Sequence, residues 1–500
     1  MSDSTSASAP LVATDAGPVH IQFALISHTN NGKTTLARTL VGVDVGEVRD
    51  AAHVTVFAES HLLVKTGVGD TLQLWDTPGF GDSVRLLRRL SMAGNPIGWF
   101  LREVVDRYRD RPFWLSQQAL RTARDEADVV LYLVNSTEQP RDAGYLPAEM
   151  KILEWLGKPV AVLLNQLGPP RPAAEEYAEQ ARWKTHLDQF PIVGSVLSLD
   201  AFARCWVHER VFYDAIGQLV AQPKQAGYAR LFAVWEAANR QRLVDAMALL
   251  ASQLAEAAAD HEPVAADEKS LLKSALSAVG LGKNGEQQRQ EKAMSRLLER
   301  LNDQLNKSTA RLLALHKLDP ADAAKINARV REHFKVRAPV DKAQAGLIGA
   351  IVSGAATGLS ADLMAGGLTC GAGALIGGVV GALTMAGAAW GFNSSTDRNQ
   401  TTMQFADDFL HTLVVSSVLR YLAVAHFGRG RGNFVEGEAP AFWQAEVERL
   451  AMAQAGTLER AWEHARSGTD KGDAGRLLND AVTAITTGTL ETLYPGSLPR

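Results

Sequence analysis

The chain has 500 residues, 46% of them hydrophobic and 21% charged, which is enough for more than one compact domain and excludes global disorder. Its formal net charge of -4 supplies no whole-protein basic field, so nucleic acid is read as an unlikely partner. Cys205 and Cys370 are the only cysteines and have no neighbouring ligand spacing, which argues against a disulfide scaffold or a structural zinc site and fits a reducing compartment.

Residues 1–17 read as a flexible tail with neither a basic leader nor a long apolar core, so a cytoplasmic protein is expected. The apolar run from Ile21 to Ile26 stops abruptly at residues 27–35, SHTNNGKTT, and an apolar-periodic stretch from Leu36 to Leu40 follows: strand, loop, helix. Further strands are expected at Val54 to Val64, Thr71 to Trp75, Val129 to Val134 and Val160 to Leu164, with helical patterns between the later ones. This alternation predicts an α/β domain over residues 18–215 with a mainly parallel sheet. The long segment from Val84 to Asp128 has room for one or more extra helices.

The loop at 27–35 carries the strongest chemical signal. A phosphate-binding loop needs amides that wrap phosphate oxygens, a lysine that reaches the terminal phosphates and a hydroxyl for magnesium. Asn30, Asn31, Gly32, Lys33, Thr34 and Thr35 offer these in order, although Ser27 replaces the usual first glycine. Asp76-Thr-Pro-Gly79 follows directly on an apolar strand, so Asp76 is expected at the Mg2+ and the Gly79 amide at the terminal phosphate. Thr55 is the expected mobile hydroxyl that closes on Mg2+. Lys33, Thr55 and Gly79 are thus the catalytic candidates, and Thr34, Thr55 and Asp76 the metal ligands. Each has a plainer reading: a chance helix start, a turn-capping Asp, a strand-initiating Thr.

Base recognition is less well marked. Asn165-Gln-Leu-Gly168 stands where a guanine-specific loop carries Asn-Lys-x-Asp, so Asn165 can brace the loop but Gly168 has no carboxylate for the ring. Asp188 or a backbone group is left to compensate, and Ser198 is the candidate from a second base loop, or else a strand-to-helix cap. No glutamine follows Gly79, where Phe80 stands instead, which predicts slow hydrolysis unaided. Arg49, Arg85 and His28 are candidate assistants, with solvated loop charges and a loop-wall residue as the alternatives.

Residues 216–340 are rich in helix formers and read as a helical domain or stalk, in which the stretch from Lys283 could form a coiled-coil arm. Residues 341–392 hold a Gly/Ala-rich apolar segment whose single charge between Gly346 and Phe392 is Asp362. Gly346, Ala350, Gly354 and Gly358, and later Gly373, Gly377 and Gly381, recur every fourth residue, which predicts close-packed helices: a membrane-inserting hairpin, or a buried one in a soluble domain. Residues 393–500 read as a helical region in which Phe409, Leu413 and Tyr421 are core or interface positions.

The motifs GKTT and DTPGFGD resemble those of the Era-like branch of translation-factor-related GTPases, over roughly the first two fifths of the chain. RYLAVAHFGRGRG and the Gly-rich stretch resemble a carboxyl-terminal domain of unknown function, number 3482, fused to such GTPases in bacteria. The resemblance implies GTP hydrolysis to GDP with Mg2+, slow turnover and a conformational switch acting near a membrane, peripherally or integrally at the inner membrane. Guanine nucleotide, a membrane or membrane-protein partner through 346–392 and a homo-oligomer are the expected associations. The alternative is a nucleotide-gated adaptor with little turnover and relaxed base specificity.

Overall fold

The computed structural model describes residues 17–28, 31–42, 59–92, 110–167, 171–199, 205–264, 283–318, 390–394, 401–426, 441–468 and 471–498. Side chains alternate across a strand, so a strand with apolar residues at every position must be covered on both faces. β1 (His20–Ser27) does this: Ile21, Phe23 and Leu25 enter one layer, and Ala24 and Ile26 the other, all fully buried. β4 (Val129–Asn135) and β5 (Val160–Asn165) repeat the pattern, as central strands of a parallel sheet should.

With β2 (Glu59–Lys65), β3 (Thr71–Asp76) and β6 (Val193–Ser198), these strands make a six-stranded sheet in the order β2-β3-β1-β4-β5-β6. All neighbours are parallel except β2 and β3, which form an edge hairpin. One face is covered by α2 (Ser83–Met92), α3 (Arg111–Asp125), α4 (Leu146–Leu156) and α5 (Ala173–Leu187). The other carries α1 (Lys33–Val41), α6 (Trp206–Gly217) and the start of α7 (Gln225–Ala259). In agreement with the sequence reading, helices α2 and α3 fall between Val84 and Asp128. The Asp110 carboxylate caps α3 through the Phe113 amide.

The rest is largely helical: the second half of α7, α8 (Lys283–Leu315), α9 (Asp407–Ala425), α10 (Ala441–Ala453), α11 (Ala455–Ser467) and α12 (Lys471–Leu493) bury a separate core. Three departures from the sequence reading occur here. β7 (His261–Val264), β8 (Trp390–Ser394) and β9 (Thr401–Phe405) form a small antiparallel sheet, where only helix was expected. The stretch from Lys283 is no free arm, because Leu297, Leu301, Leu305 and Leu312 are buried in the bundle. Most of the Gly/Ala-rich stretch 341–392 lies outside the described residues, and its last three, Trp390 to Phe392, are strand rather than helix.

α9 is long and apolar enough to cross a membrane, yet 72% of that window is buried inside the bundle, the condition of a core helix. Phe409, Leu413 and Tyr421 all face that core.

α7 ties the two parts together. Tyr228 and Leu231 pack on the sheet, while Met247, Leu250 and Leu254 belong to the helical core. At its start Lys224 meets Asp128 at 2.6 Å, and Arg230 holds both oxygens of Asp70 at 2.8 Å. Asp70 sits in the turn between β2 and β3 and also accepts the Val19 amide and the Thr66 hydroxyl. The Arg230 hydrogen bonds, joined by those of Val19 and Thr66, hold its carboxyl well below the usual carboxylate range despite burial. A carboxyl with a depressed native pKa stabilises the fold above its unfolded value of about 4, and that contribution is lost as the pH falls below it. Asp70→Asn should therefore lower the urea midpoint at pH 7, with the gap to wild type closing from about pH 4 downward. A gap that stays constant across this range contradicts the assignment.

Candidate functional site

In a parallel sheet the loops leaving the carboxyl ends of β1, β3 and β5 open on one edge, and that edge gathers the motif residues. β1 ends at Ser27, and α1 begins at Lys33, after Gly32. Gly32 has φ +83°, in the left-handed region, and a Cβ there would stand 2.6 Å from the Asn165 amide nitrogen. The position thus admits glycine on two counts, backbone conformation and space. Ser27 needs no such freedom, because it is still an extended strand residue; this explains how the loop dispenses with its first glycine.

The Ser27 hydroxyl donates to the His28 carbonyl at 2.5 Å and accepts from Lys33 Nζ at 3.0 Å. Lys33 is buried, and burial pushes its ammonium pKa down, while Asp76 and Glu149 oppose the shift. On the neighbouring strand Asp76 is buried as well; burial pushes its carboxyl up, against the Thr34 hydrogen bond and the charge of Lys33. Thr34 Oγ1 donates to Asp76 Oδ2 at 2.6 Å, so a hydroxyl and a carboxylate already stand side by side. Two hard oxygen donors at this spacing suit Mg2+, which keeps most of its remaining positions for water and phosphate.

Asn165, at the end of β5, donates its amide to the Asn31 carbonyl at 2.8 Å, and Asn31 donates its own to the Leu133 carbonyl at 3.2 Å. Gln166 follows with φ +62°, a left-handed conformation that a residue with a side chain adopts at some cost. Behind Asp76, Gly79 is buried and the Phe80 amide donates to the Ser27 carbonyl at 2.9 Å, which seats the Asp76-Gly79 loop against the start of the phosphate loop. Phe80 has no exposed surface and belongs to the core of that layer.

The structure thus brings Asn31, Gly32, Lys33, Thr34, Asp76, Gly79 and Asn165 together, with Thr35 in the first turn of α1. Asn30, Thr55, Arg49 and Gly168 lie outside the described residues. Ser198 ends β6 and lines a cavity of about 280 Å³ with Tyr177, Gln180, Arg210 and the carboxyl-terminal turn at Tyr494, none of them phosphate-loop residues. Asp188 follows α5, just before β6 begins; a crossover helix returns to the opposite end of the sheet, so this carboxylate is far from the base loop. Arg85 is engaged with Asp110, and its guanidinium lies 4.2 Å above the Phe113 ring.

His28 is held by two residues of the α4 region. Its Nδ1 meets Glu149 Oε1 at 2.8 Å and its ring stacks on Tyr145 at 4.4 Å. Glu149 also accepts the Tyr132 hydroxyl at 2.5 Å. Sequence reasoning missed Glu149, Tyr132 and Tyr145. The available signal was a glutamate at helical spacing from Leu146 and Leu153, and therefore on the buried face of α4.

The phosphate loop, the Asp76 loop and the sheet order define a P-loop GTPase domain. Consistent with this, the model of the family described as 50S ribosome-binding GTPase matches residues 22–166. The chain belongs to the family described as Domain of unknown function (DUF3482), whose model matches residues 185–483, more than half of its length. It is a GTPase domain fused to that second domain. None of the curated proteins matches.

Among solved structures, the chain is similar to a variant of Aquifex aeolicus Era bound to GDP and AlF4-, with 19% identity over 41% of this chain and 58% of that one, at a TM-score of 0.30. A structure of Era with MgGDPNP and nucleotides 1506–1542 of 16S ribosomal RNA gives 18% identity, the same coverages and 0.30. A bacterial selenocysteine-specific elongation factor gives 14% identity over 40% of this chain and 28% of that one, at 0.27. The chain thus spans 58% of the length of the Era chains it matches. The reading of nucleic acid as an unlikely partner is withdrawn, because Era itself is bound to ribosomal RNA in one of these structures. Net charge summed over a whole chain was the wrong scale for that inference, since a binding patch is local.

Gly32→Ala combines a left-handed backbone penalty with loss of the Asn165 contact, together about 2 kcal/mol, so nucleotide affinity should fall ~30-fold. Titration with a fluorescent GDP analogue measures this, and wild-type affinity in the variant contradicts the geometry.

Proposed function

We propose that the chain is a Mg2+-dependent GTPase of slow intrinsic turnover that uses the nucleotide as a conformational switch. The observation that carries this reading is the buried set of Lys33, Thr34 and Asp76 at the carboxyl edge of the sheet. Lys33 and the amides around Gly32 neutralise the β- and γ-phosphates, with Asn31, Thr35 and Asn165 shaping the loop. Thr34 and Asp76, joined by Thr55, would hold Mg2+, which would supply positive charge to offset that of the phosphates. The Gly79 amide would meet the γ-phosphate while water attacks it in line, the bond from phosphorus to the β-γ bridging oxygen breaking so that inorganic phosphate forms and GDP leaves. No side chain at position 80 orients that water, because Phe80 is packed into the core. Turnover without a partner should therefore be on the order of 10⁻³ s⁻¹.

Asn165 and Ser198 are assigned to the base end of the nucleotide. Gly168 lacks the carboxylate that would select guanine, so discrimination between GTP and XTP should be weak. The switch reading is supported by α7, which is clamped at its start to the hairpin between the two nucleotide-sensing loops and is built at its end into the helical core. The stretch 346–392 has the composition for a membrane contact of such a switch, which liposome flotation in GTP, GDP and nucleotide-free samples tests.

Competition among GTP, ATP and XTP with Mg2+, together with multiple-turnover phosphate release, tests the central reading. Lys33→Ala removes charge-assisted contacts to two phosphates, and nucleotide affinity should drop by roughly 100-fold or more. Equal binding by the variant and wild type ends this assignment, and binding without phosphate release favours a nucleotide-gated adaptor.

A further inference from the structure

Glu149 is a carboxylate with no exposed surface, set on the apolar face of α4. Burying such a group is costly unless its oxygens are paired. Two donors converge on it: His28 Nδ1 at 2.8 Å and the Tyr132 hydroxyl at 2.5 Å. They come from the phosphate loop and from the central strand β4. One buried carboxyl group therefore ties the phosphate loop to α4 and to the sheet.

The composition of the loop explains why such an anchor is needed. Between Ser27 and Lys33 the sole glycine is Gly32, and the other residues are His28, Thr29, Asn30 and Asn31. Side-chain anchors hold its described residues: Ser27 to Lys33, His28 to Glu149 and Tyr145, Asn31 to the Leu133 carbonyl. The backbone of His28 also pairs with that of Phe80, so fixing its imidazole fixes both loops at their point of contact.

We propose that Glu149 is a positioning residue for GTP hydrolysis, which clamps the phosphate loop through His28 and, through the pairing of the His28 backbone with Phe80, the end of the Asp76-Gly79 loop. The proposal rests on the GTPase reading of the Lys33 site. Glu149 touches no substrate. It acts by keeping the phosphate cradle and the Asp76-Gly79 loop at a fixed separation, and displacements near 1 Å at such sites cost on the order of 100-fold in rate.

The test uses the full chain with Glu149→Gln, His28→Ala and the double variant, read by single-turnover hydrolysis at saturating GTP and by thermal melting. Gln keeps the volume but offers one acceptor where two are used. Each single variant should lose ~10- to 100-fold in rate while melting within a few degrees of wild type. The double variant should be no slower than the slower single one, because the two side chains act as one unit. A wild-type rate in Glu149→Gln, or losses that multiply in the double variant, overturns the proposal. Should Glu149→Gln fail to fold, His28→Ala alone decides: an unchanged rate sinks the clamp. Lys33→Ala run in parallel separates the two claims. Hydrolysis lost in that variant but intact in the Glu149 and His28 variants removes the clamp alone, and hydrolysis untouched by Lys33→Ala removes the site itself.

Discussion

A buried ammonium beside a buried carboxylate at the end of a parallel sheet is the constraint around which this molecule is organised. Lys33 and Asp76 are both removed from water, and burial works against the charge of each. Each partly offsets the other's charge, and the oxygen donors beside them fit a divalent ion. The sheet makes this possible because both its faces are covered by helices. The polar loops can then gather only at its carboxyl edge, where amides and oxygen donors face the same opening.

From that edge two routes lead outward. One runs through His28 to Glu149 and Tyr132, entirely within the GTPase domain. The other follows the β2-β3 hairpin, whose turn is gripped by Arg230, into α7 and the helical core. The first sets the geometry of the phosphate site, and the second connects that geometry to the domain that defines the family. Both end on a carboxyl group withdrawn from solvent, Glu149 in one and Asp70 in the other, and removing the partner of such a group is costly.

Legibility in the sequence followed the strength of the periodic signal. β1, β4 and β5 were evident because their near-continuous apolar runs point to a sheet covered on both faces, and the GKTT and DTPG motifs fell at strand ends as expected. The small sheet was missed because His261–Val264 and Thr401–Phe405 are only four and five residues long; only the alternation of buried Met403 and Phe405 marks a strand there. Asp188 was a candidate for the base site because its distance along the chain from Asn165 is short, whereas the crossover helix carries it to the other end of the sheet. The spacing of Glu149 from Leu146 and Leu153 marks it as facing inward, but its role shows only once its partner His28, 121 positions away in the chain, is placed beside it.

The most direct measurement of the central claim is calorimetric titration of a non-hydrolysable GTP analogue with and without Mg2+, on the wild type and on Asp76→Ala. If Asp76 and Thr34 form the metal corner of the phosphate site, Mg2+ tightens binding to the wild type and leaves the variant unaffected. Affinity that ignores Mg2+ in the wild type, or an Mg2+ effect that survives in Asp76→Ala, contradicts the account.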